Sequence, residues 1–178
     1  MKTFREKVAV ITGAGSGMGR YLAILLAKDG ADVCVCDVNE QTLNETVGML
    51  RKYNVSVSSH LLDVSDKESI EALPQKVIDQ HGKVDLVFNN AGVTTGAHFK
   101  DMDENNWDWV MGINFDGVVN STRAFIPHLI NNTEAAIVNT SSIFGMVTVP
   151  GQTVYHATKF AVRGFTESLA LEMAQTNP

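Results

Sequence analysis

Tyr155 and Lys159 stand four residues apart, a spacing that stacks two side chains on one face of a helix. A phenol titrates near pH ~10, too high for an efficient proton acceptor at neutrality. An ammonium within about 4–6 Å favours the phenolate. A phenol tuned in this way can take a proton from a hydroxyl or return one to a carbonyl oxygen. The spacing alone is weak, because a surface pair with its lysine in water has the same signature. Ser141 and Ser142 follow the apolar run Ala135–Thr140. A hydroxyl there could hold a substrate oxygen beside Tyr155, or simply cap the strand end. Asn114 falls within an inward stripe formed by Trp107, Val110, Met111 and Val118. Asparagine is a poor interior helix residue, and a buried amide must be hydrogen-bonded. It bonds a neighbouring carbonyl, or holds a water that feeds protons towards Lys159.

A second group of residues is suited to phosphate. Thr12 is followed by Gly13-x-x-x-Gly17-x-Gly19, placed where an apolar run gives way to a helical pattern. Glycines there permit a tight turn, let backbone N–H groups approach a pyrophosphate, and let the helix pack closely on a sheet. The helix N-terminus then faces the anion. Asp37 lies 20 residues after Gly17, at the end of the next strand-like run, where an acid binds the adenosine ribose. A carboxylate there repels the 2′-phosphate of NADP. Val38 and Asn39 supply no cation, Ser16 adds no charge, and Arg20 is the only cation nearby. The sequence therefore predicts NAD rather than NADP. With a nicotinamide docked beside Tyr155, the predicted chemistry is hydride transfer between alcohol and carbonyl.

The elements that must position these residues alternate regularly. Strands are predicted at Val8–Ile11, Ala31–Asp37, Val55–Leu62, Val84–Phe88 and Ala135–Thr140. Between them run a helix with Leu22, Leu25 and Leu26 on one face, closed by Gly30, and another marked by Leu43, Val47 and Leu50. A third opens with a capping box, Ser65 at the N-cap and Glu68 at N3, and is kinked by Pro74. A long helix begins at Asp103, and a last one starts near Thr153, with Pro178 closing it. Such alternation predicts an α/β fold: a Rossmann-type doubly wound parallel sheet in three α/β/α layers. Carboxyl ends of its strands are where such sheets bind ligands.

The 178 residues suit one domain. Fourteen basic against twenty acidic side chains give a formal charge of −6, which excludes a general nucleic-acid binder. No run is apolar enough for a signal peptide or membrane span, so a cytoplasmic protein is expected, and the sequons at Asn44 and Asn54 carry no weight. Cys34 and Cys36 are read as buried free thiols in poor geometry for bridging. The histidines show no ligand spacing, and no metal site is expected.

Taken in order, Thr12-Gly13-x-x-x-Gly17-x-Gly19, Asp63-Val64, Asn89-Asn90-Ala91-Gly92, Asn114, Ser142 and Tyr155-x-x-x-Lys159 resemble the short-chain dehydrogenase/reductase family across essentially the whole chain. The resemblance implies a tetrad. Asn114 would hold a relay water, Ser142 (by its spacing to Tyr155) would bind the reacting oxygen, Tyr155 would be the acid/base, and Lys159 would bind the nicotinamide ribose and lower the tyrosine's pKa. Asp63 and Val64 would contact adenine; Asn90, Ala91 and Gly92 would line the cofactor cleft beside Gly13, Ser16, Gly17, Met18, Gly19 and Asp37. Met18 replaces the family's usual isoleucine. Family members continue into two more strands, a Pro-Gly cofactor motif and a mobile substrate loop, so a longer native protein is expected, and a fifth strand left as an apolar edge. The resemblance also implies a homotetramer or homodimer packed through the helix after Asp103 and the last helix. Ile143–Val154 is read as one wall of a pocket for a partly hydrophobic alcohol or carbonyl compound. Two rival readings are a non-catalytic NAD(P)-binding module or sensor and an NADP-dependent carbonyl reductase.

Overall fold

β1 (Val8–Thr12) shows why the sheet is buried on both sides. All five residues are inaccessible, and alternate side chains enter different cores. Val8 and Val10 pack with Cys34, Cys36, Ile70, Leu73, Val77 and Phe125. Ala9 and Ile11 pack with Val33, Val35, Leu26, Leu43 and Leu50. A period of two feeding two apolar layers is the signature of a parallel sheet covered by helices on each face. The computed structural model describes residues 3–132 and 134–176.

The elements follow as α1 (Gly17–Lys28), β2 (Asp32–Asp37), α2 (Glu40–Leu50), β3 (Val57–Leu61), α3 (Lys67–His81), β4 (Leu86–Asn89), α4 (Glu104–Met111), α5 (Gly117–Leu129), β5 (Ala136–Asn139) and α6 (Thr153–Thr176). All strand pairs are parallel, in the order β3-β2-β1-β4-β5. The chain reverses its direction of travel across the sheet after β3, so the loops after β1 and β4 splay apart and open a crevice. α1 and α2 cover one face, α3 and α5 the other. β5 is an edge, as expected. Cys34 and Cys36 are buried and free. Among the described residues, no helix is long and apolar enough to cross a membrane.

The predicted α1 face was partly wrong. Leu25 is 62% exposed, and the inward residues are Ala23, Leu26 and Ala27; small side chains a turn apart let the helix approach the sheet. The capping box is also displaced. Asp66, not Ser65, caps α3, accepting from the N–H groups of Glu68 and Ser69, while the Ser65 hydroxyl donates to Asp63 at 2.7 Å. A carboxylate is the stronger acceptor for a helix N-terminus. α3 runs as one helix through Pro74. The long helix does begin after Asp103, which caps α4, but a π-helical turn, Gly112–Asp116, divides it from α5. The stop expected at Pro178 lies outside the described residues.

Candidate active site

The crevice is built first by the turn after β1. Thr12 Oγ1 accepts from the N–H groups of Asn90 at 3.0 Å and Ala91 at 3.1 Å, tying that turn to the end of β4. Gly13 has φ +64°, and a Cβ on it would lie 2.8 Å from Ala91 Cα. A Cβ on Gly19 would run into the Gly13 carbonyl oxygen. Ser16 precedes α1 in an extended conformation and its side chain does not cap the helix, so the first N–H groups of α1 face the crevice as free donors.

Asp37 closes one end. Its carboxylate accepts from Gly15 N at 2.8 Å and Asn39 N at 2.9 Å, which fixes it at the rim with lone pairs remaining for a diol. Arg20 points elsewhere: its guanidinium bonds the Gly15 carbonyl, Thr42 O at 3.1 Å, Thr46 Oγ1 at 3.0 Å and Glu45 at 2.9 Å. It braces the turn against α2.

Ten of the predicted cofactor residues line this one crevice: Gly13, Ser16, Gly17, Met18, Asp37, Asp63, Val64, Asn90, Ala91 and Gly92. Gly19 sits behind it as a packing residue. Sequence reasoning missed Val38, Leu62, Val93 and Ile113, which line it too, and the bracing roles of Thr12, Arg20 and Thr46. A hydroxyl ending a buried strand was the signal available for Thr12; nothing local marks the apolar four.

Tyr155 lies in the first turn of α6 and Lys159 one turn on, its Nζ 5.5 Å from the centre of the Tyr155 ring. Lys159 is 4% exposed and donates to the Thr140 carbonyl at 2.9 Å. Burial pushes its pKa below the usual lysine value. Ser141 is taken up structurally, donating to the Lys159 carbonyl at 2.9 Å. Ser142 accepts from Phe144 N at 3.1 Å, which leaves its own proton free to donate.

Asn114 is fully buried in the π turn. Its amide exchanges two 2.8 Å bonds with the backbone of Val93 and donates to Thr158 Oγ1 at 3.3 Å. The Val93 bonds are the structural bonds to neighbouring backbone that the sequence offered as one of its two readings. Asn114 clamps the chain after β4 against α6. Gly92 joins the halves of the site: a Cβ there would lie 3.4 Å from Asn114 Oδ1 and 3.6 Å from Lys159 Nζ. The lysine therefore reaches the floor of the glycine-lined crevice. Tyr155 and Lys159 do not line the crevice proper.

The short chain dehydrogenase family model matches residues 7–177. The chain belongs to that family. SadH of Mycobacterium tuberculosis is 43% identical over 173 residues, 97% of this chain and 63% of that protein. The 3-oxoacyl-[acyl-carrier-protein] reductase FabG of Thermotoga maritima is 37% identical over 171 residues, 96% of this chain and 70% of that protein. The crystal structure of a short chain dehydrogenase/reductase from Burkholderia phymatum in complex with NAD superposes with a TM-score of 0.91 at 42% identity, covering 95% of this chain and 60% of that one. NAD+-bound xylitol dehydrogenase superposes at 0.94 with 31% identity, covering 99% and 68%. This short-chain dehydrogenase chain thus spans under two thirds of the SadH and Burkholderia lengths, and carries the glycine-lined crevice and the Tyr155–Lys159 pair.

Proposed function

We propose that this short-chain dehydrogenase is an NAD-dependent oxidoreductase that interconverts an alcohol and a ketone or aldehyde, with Tyr155 as acid/base. The observation that carries the reading is the approach of the buried Lys159 ammonium to both the Tyr155 ring and the Gly92 floor of the crevice. When bound, NAD supplies the hydride acceptor at its nicotinamide carbon. The chain's residues do the rest. The α1 N-terminus and the Gly13–Gly19 turn bind the pyrophosphate, and Asp37 takes the adenosine ribose. Asp63 and Val64 flank the adenine. Asn90, Ala91 and Gly92 form the floor. Ser142 donates to the substrate oxygen and holds it beside the phenol. Tyr155 takes the hydroxyl proton on oxidation and returns it on reduction, and the Lys159 charge favours the phenolate. Asn114 acts by clamping Val93 rather than through a substrate contact.

NAD rather than NADP is supported by Asp37 at the ribose end and by Arg20 being committed to four bracing bonds. A partly hydrophobic substrate is supported by the exposed Ile143, Met146, Val147 and Val149 that follow Ser142. The reading takes residues 1–178 as one dinucleotide-binding unit of a cytoplasmic homotetramer or homodimer, to be checked by light scattering. Tyr155→Phe tests its centre: NADH binding should persist while turnover with a panel of alcohols and ketones falls at least about a hundredfold. Retained turnover would remove the assigned role.

A further inference from the structure

His156 follows the proposed acid/base directly, yet its side chain is 6% exposed and turned away from the nucleotide crevice. A buried imidazole needs a partner for each nitrogen. Nδ1 lies 2.9 Å from the Phe144 carbonyl, which can only accept, so Nδ1 carries the proton. Nε2 meets the Val149 backbone, 2.9 Å from its nitrogen and 3.2 Å from its carbonyl oxygen; in the neutral ring Nε2 accepts from the nearer N–H. One ring therefore holds both ends of the segment 144–149 to the start of α6. That segment turns through a single 3-10 turn, Ile143–Gly145, and presents Met146, Val147 and Val149 to the outside.

The same ring reaches the phenol by a second route. Its centre is 4.8 Å from that of Phe144, tilted by 46°, and Phe144 meets Tyr155 edge-on with centres 6.2 Å apart and planes at 82°. Edge-to-face packing fixes the relative orientation of two rings. Ser142, whose hydroxyl accepts from Phe144 N, belongs to the same assembly. A histidine serving only to fill a core would need neither a backbone partner on each nitrogen nor a partner, Phe144, that itself touches both Ser142 and Tyr155.

We propose that His156 is a positioning residue: by tethering Phe144 and Val149 it sets the orientation of the Tyr155 phenol and the shape of the apolar wall at 143–149. This rests on the oxidoreductase reading above. The two ends of the tether do different work. The Phe144 end orients Tyr155 and governs the rate of the proton step. The Val149 end shapes the wall and governs how substrate is held.

His156→Ala removes both bonds, whereas His156→Asn places an amide donor near the Nδ1 position and keeps the Phe144 end alone. The test measures amide hydrogen exchange by mass spectrometry, NADH binding by fluorescence, and kcat and KM separately with NADH and 2-octanone. In His156→Ala, exchange over 143–150 should quicken about tenfold or more while β1 stays protected. NADH binding should stay within about twofold, kcat should fall about tenfold or more, and KM should rise, since small displacements of a positioned group are expensive in rate. His156→Asn should recover kcat but keep the raised KM. Unchanged exchange over 143–150, faster exchange throughout the molecule, or unchanged kcat and KM would each overturn the proposal. A wild-type protein that turns over no carbonyl compound would instead defeat the oxidoreductase reading, while exchange confined to 143–150 would still report the tether.

Discussion

Lys159 donates to the Thr140 carbonyl across 2.9 Å, joining α6 to the end of β5. The bond exists because a buried ammonium must find an acceptor, and the carbonyl left over at the end of an edge strand supplies one. The result is a cation held beside a phenol and above a glycine floor.

That placement has a stability cost with a definite pH dependence. Burial lowers the Lys159 pKa, so between the folded and unfolded values the unfolded chain binds more protons and stability rises with pH. Lys159→Met removes this titration. The melting temperature of the variant relative to wild type should be most favourable below the folded pKa and become less so as pH rises towards the ordinary lysine value. Turnover should fall at least about a hundredfold at every pH. Parallel melting-temperature profiles for the two proteins would contradict the burial argument.

Asp37 should separate the two nicotinamide cofactors. Its carboxylate sits at the crevice rim, held by Gly15 N and Asn39 N. Asp37→Ala removes charged hydrogen bonds worth roughly 1.5–3 kcal/mol, so NADH affinity should drop about tenfold or more. NADPH should lose less, because repulsion of its 2′-phosphate is relieved. Titration by fluorescence measures both; an equal loss for the two cofactors would count against a ribose contact.

Two glycines form a matched pair. A Cβ on Gly19 would strike the Gly13 carbonyl and approach Gly13 C to 2.8 Å, whereas a Cβ on Gly48, inside α2, meets nothing within 4 Å. Gly19→Ala should cost about 2–3 kcal/mol by overpacking and weaken NADH binding. Gly48→Ala should stabilise by about 0.5–1 kcal/mol through backbone entropy. Urea unfolding gives both numbers, and a harmless Gly19→Ala would show that the turn is looser than its contacts imply.

Asp85 is a buried acid-sensitive group of the fold. It accepts from Val8 N at 2.9 Å and Asn132 Nδ2 at 2.8 Å, with Lys83 Nζ at 3.0 Å. Burial pushes its pKa up, but the Val8 N–H, Lys83 and Asn132 together outweigh it and hold the carboxyl below the usual range. A depressed carboxyl contributes stability above its unfolded pKa and loses it as pH falls through the folded one. Asp85→Ala should cost about 3 kcal/mol at pH 7, and the gap from wild type should narrow under acid. A gap independent of pH would mean that the ionised carboxylate contributes little.

Much of this protein was legible in its sequence. Continuous apolar runs such as Val8–Ile11 identified buried parallel strands, because a sheet covered on both faces buries every side chain. The Gly13–Gly19 spacing identified the tight turn between β1 and α1, because a side chain at Gly13 or Gly19 would collide with neighbouring backbone. The i, i+4 geometry of Tyr155 and Lys159 follows from helix pitch alone.

What the sequence could not determine were choices among equally local candidates. Ser65 and Asp66 could each cap α3, and Leu25 could face in or out; neighbouring elements decided. The π turn at Gly112–Asp116 interrupts an apolar stripe that reads as one helix. The partners of Ser141 and Asn114, the Lys159 carbonyl and the Val93 backbone, stand within 3 Å although they lie 18 and 21 residues away in the chain. Periodicity carries the elements because it is a property of one segment. Hydrogen-bond partners across the fold are properties of two, and only packing brings the two together.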